Sequence, residues 1–337
     1  MLPALAVAEA LQDRGVRVTF AGSPDRVEAR LVPEAGYELD PFRSVGLPRR
    51  AGLAFARSLV TAAGAPAACF RILRRRRPDV VLGGGGYVSG PMVLAAALRR
   101  TPAAVMEADA HLGLANRLAA PFAERVFLAL PVGGRSGSKY RVTGRPVPRR
   151  SKRVPVERAR REFELPPEGP VLLVLGGSQG AVRLNELAVA TWGQAGPAVL
   201  HLCGARDYPA LRERITRPDY RLLPFTDAVG AAYGAADLAL ARAGGSVWEL
   251  AAAGLPAVLV PYPHATADHQ MKNARHFEAA GGAVVVPEPE LERVPALVDE
   301  LLLDAPRRDR MRRAMGQASR PGAAAEIAEE LIALASP

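Results

Sequence analysis

The chain has 337 residues, enough for two domains, and its 49% hydrophobic and 23% charged residues are ordinary for a globular protein, which sets aside the disordered and fibrous classes. The formal charge of +10 comes almost wholly from Arg, Lys occurring only at 139, 152 and 272; with aromatics at 5% the sequence offers no basic-aromatic platform for nucleic acid, and an anionic membrane surface is the expected electrostatic partner. Cys69 and Cys203 stand singly in apolar contexts and read as buried free thiols of a reducing cytoplasm; no uncharged run has the length without Gly and Pro that a spanning helix needs, residues 83–98 coming nearest with five Gly and one Pro.

In chain order, residues 2–11 already read as a helix, whereas a doubly wound domain ordinarily opens on a strand and a glycine turn. Strands are expected at 16–21, 79–82, 103–106, 125–130 and 140–143, between helices near 3–14, 24–35, 52–77, 89–99 and 112–123. Residues 144–161, rich in Pro, Arg and Lys, read as a linker. A second series follows, with strands at 171–175, 198–202, 221–225, 238–241, 257–260 and 283–286. The expected fold is α/β, two doubly wound Rossmann-like domains facing a cleft.

Several strand ends carry polar or glycine-rich turns. Gly176-Gly-Ser-Gln-Gly-Ala181 ends a buried strand and opens a helix, which directs free N–H groups at an anion, Ser178 adding a hydroxyl; the alternative is a turn that only packs helix on sheet. Ser246-Val-Trp-Glu249 either forms a capping box or presents Glu249 to a ribose diol. Asp268 to Asn273 either caps a helix through Asp268 or reaches the same ligand. In the first half, Gly83-Gly-Gly-Gly-Tyr-Val-Ser-Gly-Pro91 permits close backbone approach and offers the Tyr87 and Ser89 hydroxyls. Glu107 and Asp109, past another strand end, are candidate general bases or helix caps. Residues 46–77 mix apolar side chains with Arg, as an ordinary amphipathic helix or one lying on anionic lipid. No His and carboxylate spacing resembles a zinc site, and no structural metal is expected.

Taken together, Asp25 to Pro33, Pro78 to Pro91, Leu175 to Ala181, Glu249 to Pro256 and Gln270 to Asn273 make the chain similar, over nearly its full length, to the MurG family of bacterial peptidoglycan glycosyltransferases. That resemblance implies the glycosyltransferase B fold. It implies inverting transfer of N-acetylglucosamine from UDP-N-acetylglucosamine to the muramoyl 4-hydroxyl of the undecaprenyl-linked acceptor lipid I, giving lipid II for the cell wall. The setting it implies is the cytoplasmic face of the inner membrane, with peripheral attachment and neither a cofactor nor an essential bound metal. An acceptor and membrane-binding domain would comprise 1–147 with a helix at about 321–337, and a donor domain 148–320. The donor would be held by Asp109, Arg145, Ser178, Gln179, Gly180, Thr226, Gly244, Gly245, Ser246, Glu249, Gln270 and Asn273, with Phe225 against uracil. Gly84, Gly85, Gly86, Tyr87, Ser89 and Asn116 would face the acceptor, Glu107 and Asp109 would supply the base, and Phe55, Leu59, Arg49 and Arg50 would form the membrane patch.

The chain departs from the family pattern at Met106-Glu-Ala-Asp109, where the family reads His-Glu-Gln-Asn, and at Gly144-Arg-Pro-Val-Pro148, where Arg145 or Arg149 replaces a displaced Arg. The family's opening strand and its Gly-Gly-Thr-x-Gly-His loop would lie before Met1, so DNA upstream of codon 1 is expected to encode them. The rival expectations are another acceptor, lipid or metabolite, and an inactive donor-binding remnant.

Overall fold

The computed structural model describes residues 1–44, 53–176 and 181–336, with the backbone alone at 53–63. The chain divides into two compact units, Met1–Pro148 with Gly322–Pro337, and Arg149–Pro321.

In the first unit the order is α1 (Leu2–Gln12), β1 (Thr19–Gly22), α2 (Val27–Glu34), β2 (Glu38–Pro41), α3 (Leu53–Arg76), β3 (Val81–Gly83), α4 (Gly86–Leu98), β4 (Ala103–Glu107), α5 (Leu114–Ala119), β5 (Arg125–Leu128) and β6 (Tyr140–Val142). In the second it is α6 (Val156–Glu162), β7 (Val171–Leu175), α7 (Val182–Trp192), β8 (Ala198–Leu202), α8 (Tyr208–Arg212), β9 (Tyr220–Leu223), α9 (Val229–Ala235), β10 (Leu238–Ala241), α10 (Ser246–Ala252), β11 (Ala257–Leu259), α11 (His269–Ala279), β12 (Ala283–Val285), α12 (Val294–Leu303) and α13 (Ala305–Ala318). The last helix, α14 (Ala323–Ala335), belongs to the first unit.

Every strand pair is parallel, as strand-helix alternation requires. The second unit has the strand order β12-β11-β10-β7-β8-β9, which reverses direction between β7 and β10. β7 reads Val-Leu-Leu-Val-Leu and is buried throughout, as a strand covered by helices on both faces must be. Its core joins Leu172, Val174, Leu184, Trp192, Leu240, Val258 and Leu301.

Among the described residues the first unit holds two separate sheets, β1-β2 and β3-β4-β5-β6. A cleft of about 1160 Å³ lies beside both β1 and β3, lined by Val7, Ala8, Val18, Phe20, Leu82 and Leu331 among others. On one face, Val7 and Leu11 of α1 and Ile327 and Leu331 of α14 pack on Ala104, Met106 and Phe127; on the other, Cys69 and Leu73 of α3 pack with Val81, Met92 and Val105. Strand β2 was not expected from the sequence, because Glu38-Leu-Asp-Pro41 has a single aliphatic residue between two acids. Among the described residues no helix is long and apolar enough to cross a membrane.

Candidate functional site

Ligands of doubly wound sheets bind outside the carboxyl ends of the strands where the order reverses. In the second unit that point lies between β7 and β10. Strand β7 runs into residues 177–180, so Gly177, Ser178, Gln179 and Gly180 lie outside the described residues, between Gly176 and α7. Strand β10 runs into Arg242, Ala243, Gly244 and Gly245, and α10 begins at Ser246.

Glu249, one turn into α10, does not close a capping box. The helix has no side-chain cap bond, and the Glu249 Oε2 instead accepts from the Ser151 hydroxyl at 2.7 Å and the Tyr233 hydroxyl at 3.2 Å. Burial first, and the neighbouring Glu249 carboxylate second, raise Tyr233 well above the usual phenol range, so it remains a donor.

The Gly244 turn is braced from α11. Gln270 accepts the Tyr262 N–H at 2.9 Å through Oε1, and a Cβ placed on Gly244 would lie 3.8 Å from its Nε2. The amide donor of Gln270 is therefore turned toward the turn. Asn273 is wholly buried and donates through Nδ2 to the Ala243 carbonyl at 3.1 Å, bracing the turn, while its Oδ1 has no partner among the described residues. Asp268 likewise makes no side-chain cap bond. Arg242, nearly buried, pairs with Glu288, donates to the Val260 carbonyl at 3.2 Å, and lies 5.6 Å from the Tyr262 ring centroid. Phe225, 64% exposed, stands past the end of β9, and Thr226 accepts the Ala228 N–H at 3.1 Å.

In the first unit, β3 ends at Gly83, where a Cβ would meet the Ser89 hydroxyl at 2.3 Å and Val93 at 2.9 Å. Gly85 and Gly86 follow at φ 89° and 72°, a left-handed pair that only glycine adopts freely, and α4 starts there. Gly84 packs against Ala4. Tyr87 is 56% exposed, with the Arg26 guanidinium 5.9 Å from its ring centroid. Ser89 is buried beside Gly83, and its hydroxyl has no hydrogen-bond partner among the described residues.

The two carboxylates past β4 differ sharply. Glu107, 8% exposed, accepts from the N–H of Asp109 (3.1 Å), the N–H of Gly113 (2.8 Å) and Nδ2 of Asn116 (2.9 Å). So occupied, it organises the loop 108–113. Asn116, buried, also donates to the Met106 carbonyl at 3.1 Å and so braces this loop, its Oδ1 having no partner among the described residues. Asp109 is 40% exposed and pairs with Arg145 at 3.3 Å, while Arg145 donates to the Ala108 carbonyl at 2.6 Å. Of the two candidate bases, Asp109 is the one open to a ligand.

Arg49 and Arg50 lie outside the described residues, as do the side chains of Phe55 and Leu59. Part of the Arg run at the end of α3 is paired within the unit: Arg75 and Arg76 both pair with Asp40, and Arg76 with Glu38. Among the described residues no group of three or more His, Cys, Asp or Glu is placed to hold a metal ion. Sequence reasoning missed Ser151, Tyr233 and Arg242; the one signal for the first two was the Gly230-Ala-Ala-Tyr-Gly234 spacing, which marks close backbone approach on a helix.

Two Rossmann-like units, one presenting an anchored carboxylate beside a glycine turn at its switch point, define a nucleotide-sugar-dependent glycosyltransferase of the glycosyltransferase B fold. The glycosyltransferase family 28 N-terminal domain matches residues 1–128 and the family 28 C-terminal domain residues 171–328. The chain belongs to glycosyltransferase family 28. It is 41% identical over 347 residues to the UDP-N-acetylglucosamine--N-acetylmuramyl-(pentapeptide) pyrophosphoryl-undecaprenol N-acetylglucosamine transferase of Nitrosococcus oceani, covering 100% of this chain and 96% of that one. To the Halothermothrix orenii enzyme of the same name it is 36% identical, over 95% of this chain and 92% of that one. The crystal structure of Acinetobacter baumannii MurG superposes with a TM-score of 0.74 at 28% identity, covering 98% and 95% of the two chains.

Proposed function

We propose that this chain transfers N-acetylglucosamine from UDP-N-acetylglucosamine to the muramoyl 4-hydroxyl of undecaprenyl-diphospho-N-acetylmuramoyl-pentapeptide, giving lipid II with inversion at the anomeric carbon. The observation that carries this reading is the Glu249 carboxylate, held through one oxygen at the carboxyl end of the sheet beside the Gly244 turn and Gln270. A carboxylate there accepts from both hydroxyls of a ribose, Gln270 Nε2 donates to the sugar, and exposed Phe225 gives uracil an apolar surface. Residues 177–180, which precede α7, take the diphosphate. In the displacement, Asp109 removes the proton of the attacking hydroxyl, its carboxylate held by Arg145, and UDP departs with its charge stabilised by N–H donors at the diphosphate. No cofactor is assigned.

The enzyme sits on the inner face of the cytoplasmic membrane. Supporting this are the net charge of +10 and the exposed apolar residues Leu114, Leu118 and Phe122 on α5 and the turn after it.

The test incubates the chain with labelled UDP-N-acetylglucosamine and detergent-dispersed lipid I, with diacylglycerol as the competing acceptor. Label in lipid II supports the proposal, and transfer to diacylglycerol alone overturns it. Donor binding with no transfer to either lipid would also overturn it.

A further inference from the structure

Glu249 is held by hydroxyls from two segments remote in sequence. Residues 149–154 run across α9 where that helix is bare. A Cβ at Gly230 would lie 2.2 Å from the Lys152 carbonyl oxygen and 2.8 Å from that of Arg150, and one at Gly234 would lie 2.2 Å from the Val154 oxygen. The Val154 N–H donates to the Gly230 carbonyl at 3.1 Å. Only with glycine at both positions does the segment come this close, and that approach sets Ser151, wholly buried, with its hydroxyl 2.7 Å from Glu249 Oε2. Tyr233 lies on the same helix between the two glycines, also buried, and its hydroxyl reaches the same oxygen at 3.2 Å.

Both donors meet Oε2, and Oε1 receives no hydrogen bond from the described residues. One donor would leave the carboxylate free to turn about the line between them. Two donors from different directions fix its plane and leave Oε1 aimed in a single direction. Both donors are uncharged and sit on Oε2, which leaves Oε1 as an acceptor for a ligand hydroxyl. The rotational freedom that a ligand would otherwise have to remove is already gone before it arrives.

We infer that Ser151 and Tyr233 are positioning residues that orient Glu249 for a ribose diol and so set the preference of this site for ribonucleotides over 2′-deoxyribonucleotides. This rests on the reading of Glu249 as the ribose ligand. A site built to bond a hydroxyl rejects an analogue without it, because a held acceptor is left unpaired. Once released from its anchors, Glu249 turns to water and that penalty shrinks.

The experiment measures calorimetric affinities of the full chain for UDP and 2′-deoxy-UDP in the unaltered protein and in Ser151→Ala, Tyr233→Phe, the double variant and Glu249→Ala. The unaltered protein should prefer UDP by roughly 30-fold, an order of magnitude set by one charge-assisted bond. Each single variant should reduce that ratio about three- to fivefold, and the double variant should approach the near-unit ratio of Glu249→Ala. With UDP-N-acetylglucosamine as substrate, KM should rise about as much as UDP binding weakens, with kcat within twofold. Because the ratio compares two ligands on one sample, a partly unfolded fraction affects both equally. Ser151→Ala and Tyr233→Phe weakening both nucleotides by the same factor, or leaving both unchanged, while Glu249→Ala collapses the ratio, would overturn the inference alone. An unchanged ratio in Glu249→Ala would overturn the ribose reading beneath it.

Discussion

Replacing Glu249 by Ala removes the proposed ribose acceptor and also strands two buried hydroxyls, so binding and stability should fall together. UDP-N-acetylglucosamine affinity should drop by about 1.5–3 kcal/mol by calorimetry, and unfolding free energy by about 1–3 kcal/mol in urea, the latter because Ser151 and Tyr233 lose their acceptor. Glu249→Gln keeps an acceptor oxygen and should be milder in both. The two carboxylates past β4 should separate by a different measure. Asp109→Asn should lower kcat by about a hundredfold or more, within the range of general-base contributions, with little change in melting temperature. Glu107→Gln should lower the melting temperature, since it puts an amide N–H₂ among three donors. The reverse pattern would return the base to Glu107. His201 lies with Nδ1 2.8 Å from the Tyr220 hydroxyl and Nε2 3.0 Å from Asn185 Oδ1, and burial pushes its pKa down to about 3. Since the unfolded ring titrates near 6.5, its contribution is fully present above that pH and is lost as pH falls toward 3. The loss accumulates at up to about 1.4 kcal/mol per pH unit. His201→Gln should flatten this part of the stability profile between pH 6.5 and 4 in urea titrations, and a slope equal to that of the unaltered protein would count against it.

Among the elements, the segment 149–154 and α9 depend on two glycines. Gly230→Ala places a methyl against two carbonyl oxygens and should destabilise the chain by about 1–3 kcal/mol while raising the KM for donor, because Ser151 moves with the displaced segment. Normal stability with normal KM would show that the segment yields without consequence. This coupling was invisible in the sequence, where 144–161 reads as a linker and Ser151 stands 98 positions from Glu249. The strands were legible for a plain reason: Val171–Leu175 and Ala103–Glu107 are nearly continuous apolar runs, and a parallel strand buried on both faces has to be. Glu38–Pro41 has no such signature and went unread. The site was legible in its loops but not in its roles. Asn116 on α5 and Asn273 on α11 follow polar loops just as ligand-binding amides do, and the bonds they make to Met106, Glu107 and Ala243 join segments that the sequence does not place together. The Ser246 and Glu249 spacing fitted a capping box until hydroxyls far along the chain claimed the carboxylate.

For the molecule as a whole, charge and exposed apolar surface should act together at the membrane. Attachment to anionic vesicles should weaken steeply with salt, and Phe55→Ser with Leu59→Ser should release it, as one weak anchor seldom holds alone. Equal sedimentation with neutral and anionic vesicles at every salt concentration would contradict this. The separation of β1-β2 from β3-β4-β5-β6 bears on how the first unit comes apart. In the second unit six strands share one ladder, so opening anywhere strains its neighbours; in the first, among the described residues, the strands of segment 19–41 pair only with each other and meet the other sheet through side-chain packing and helices. Such a segment can leave as a cooperative unit of its own. Hydrogen exchange in the native state should therefore show the amides of 19–22 and 38–41 released together, at lower free energy than those of 171–175, giving this α/β protein a melting order that its uniform strand-helix rhythm does not suggest.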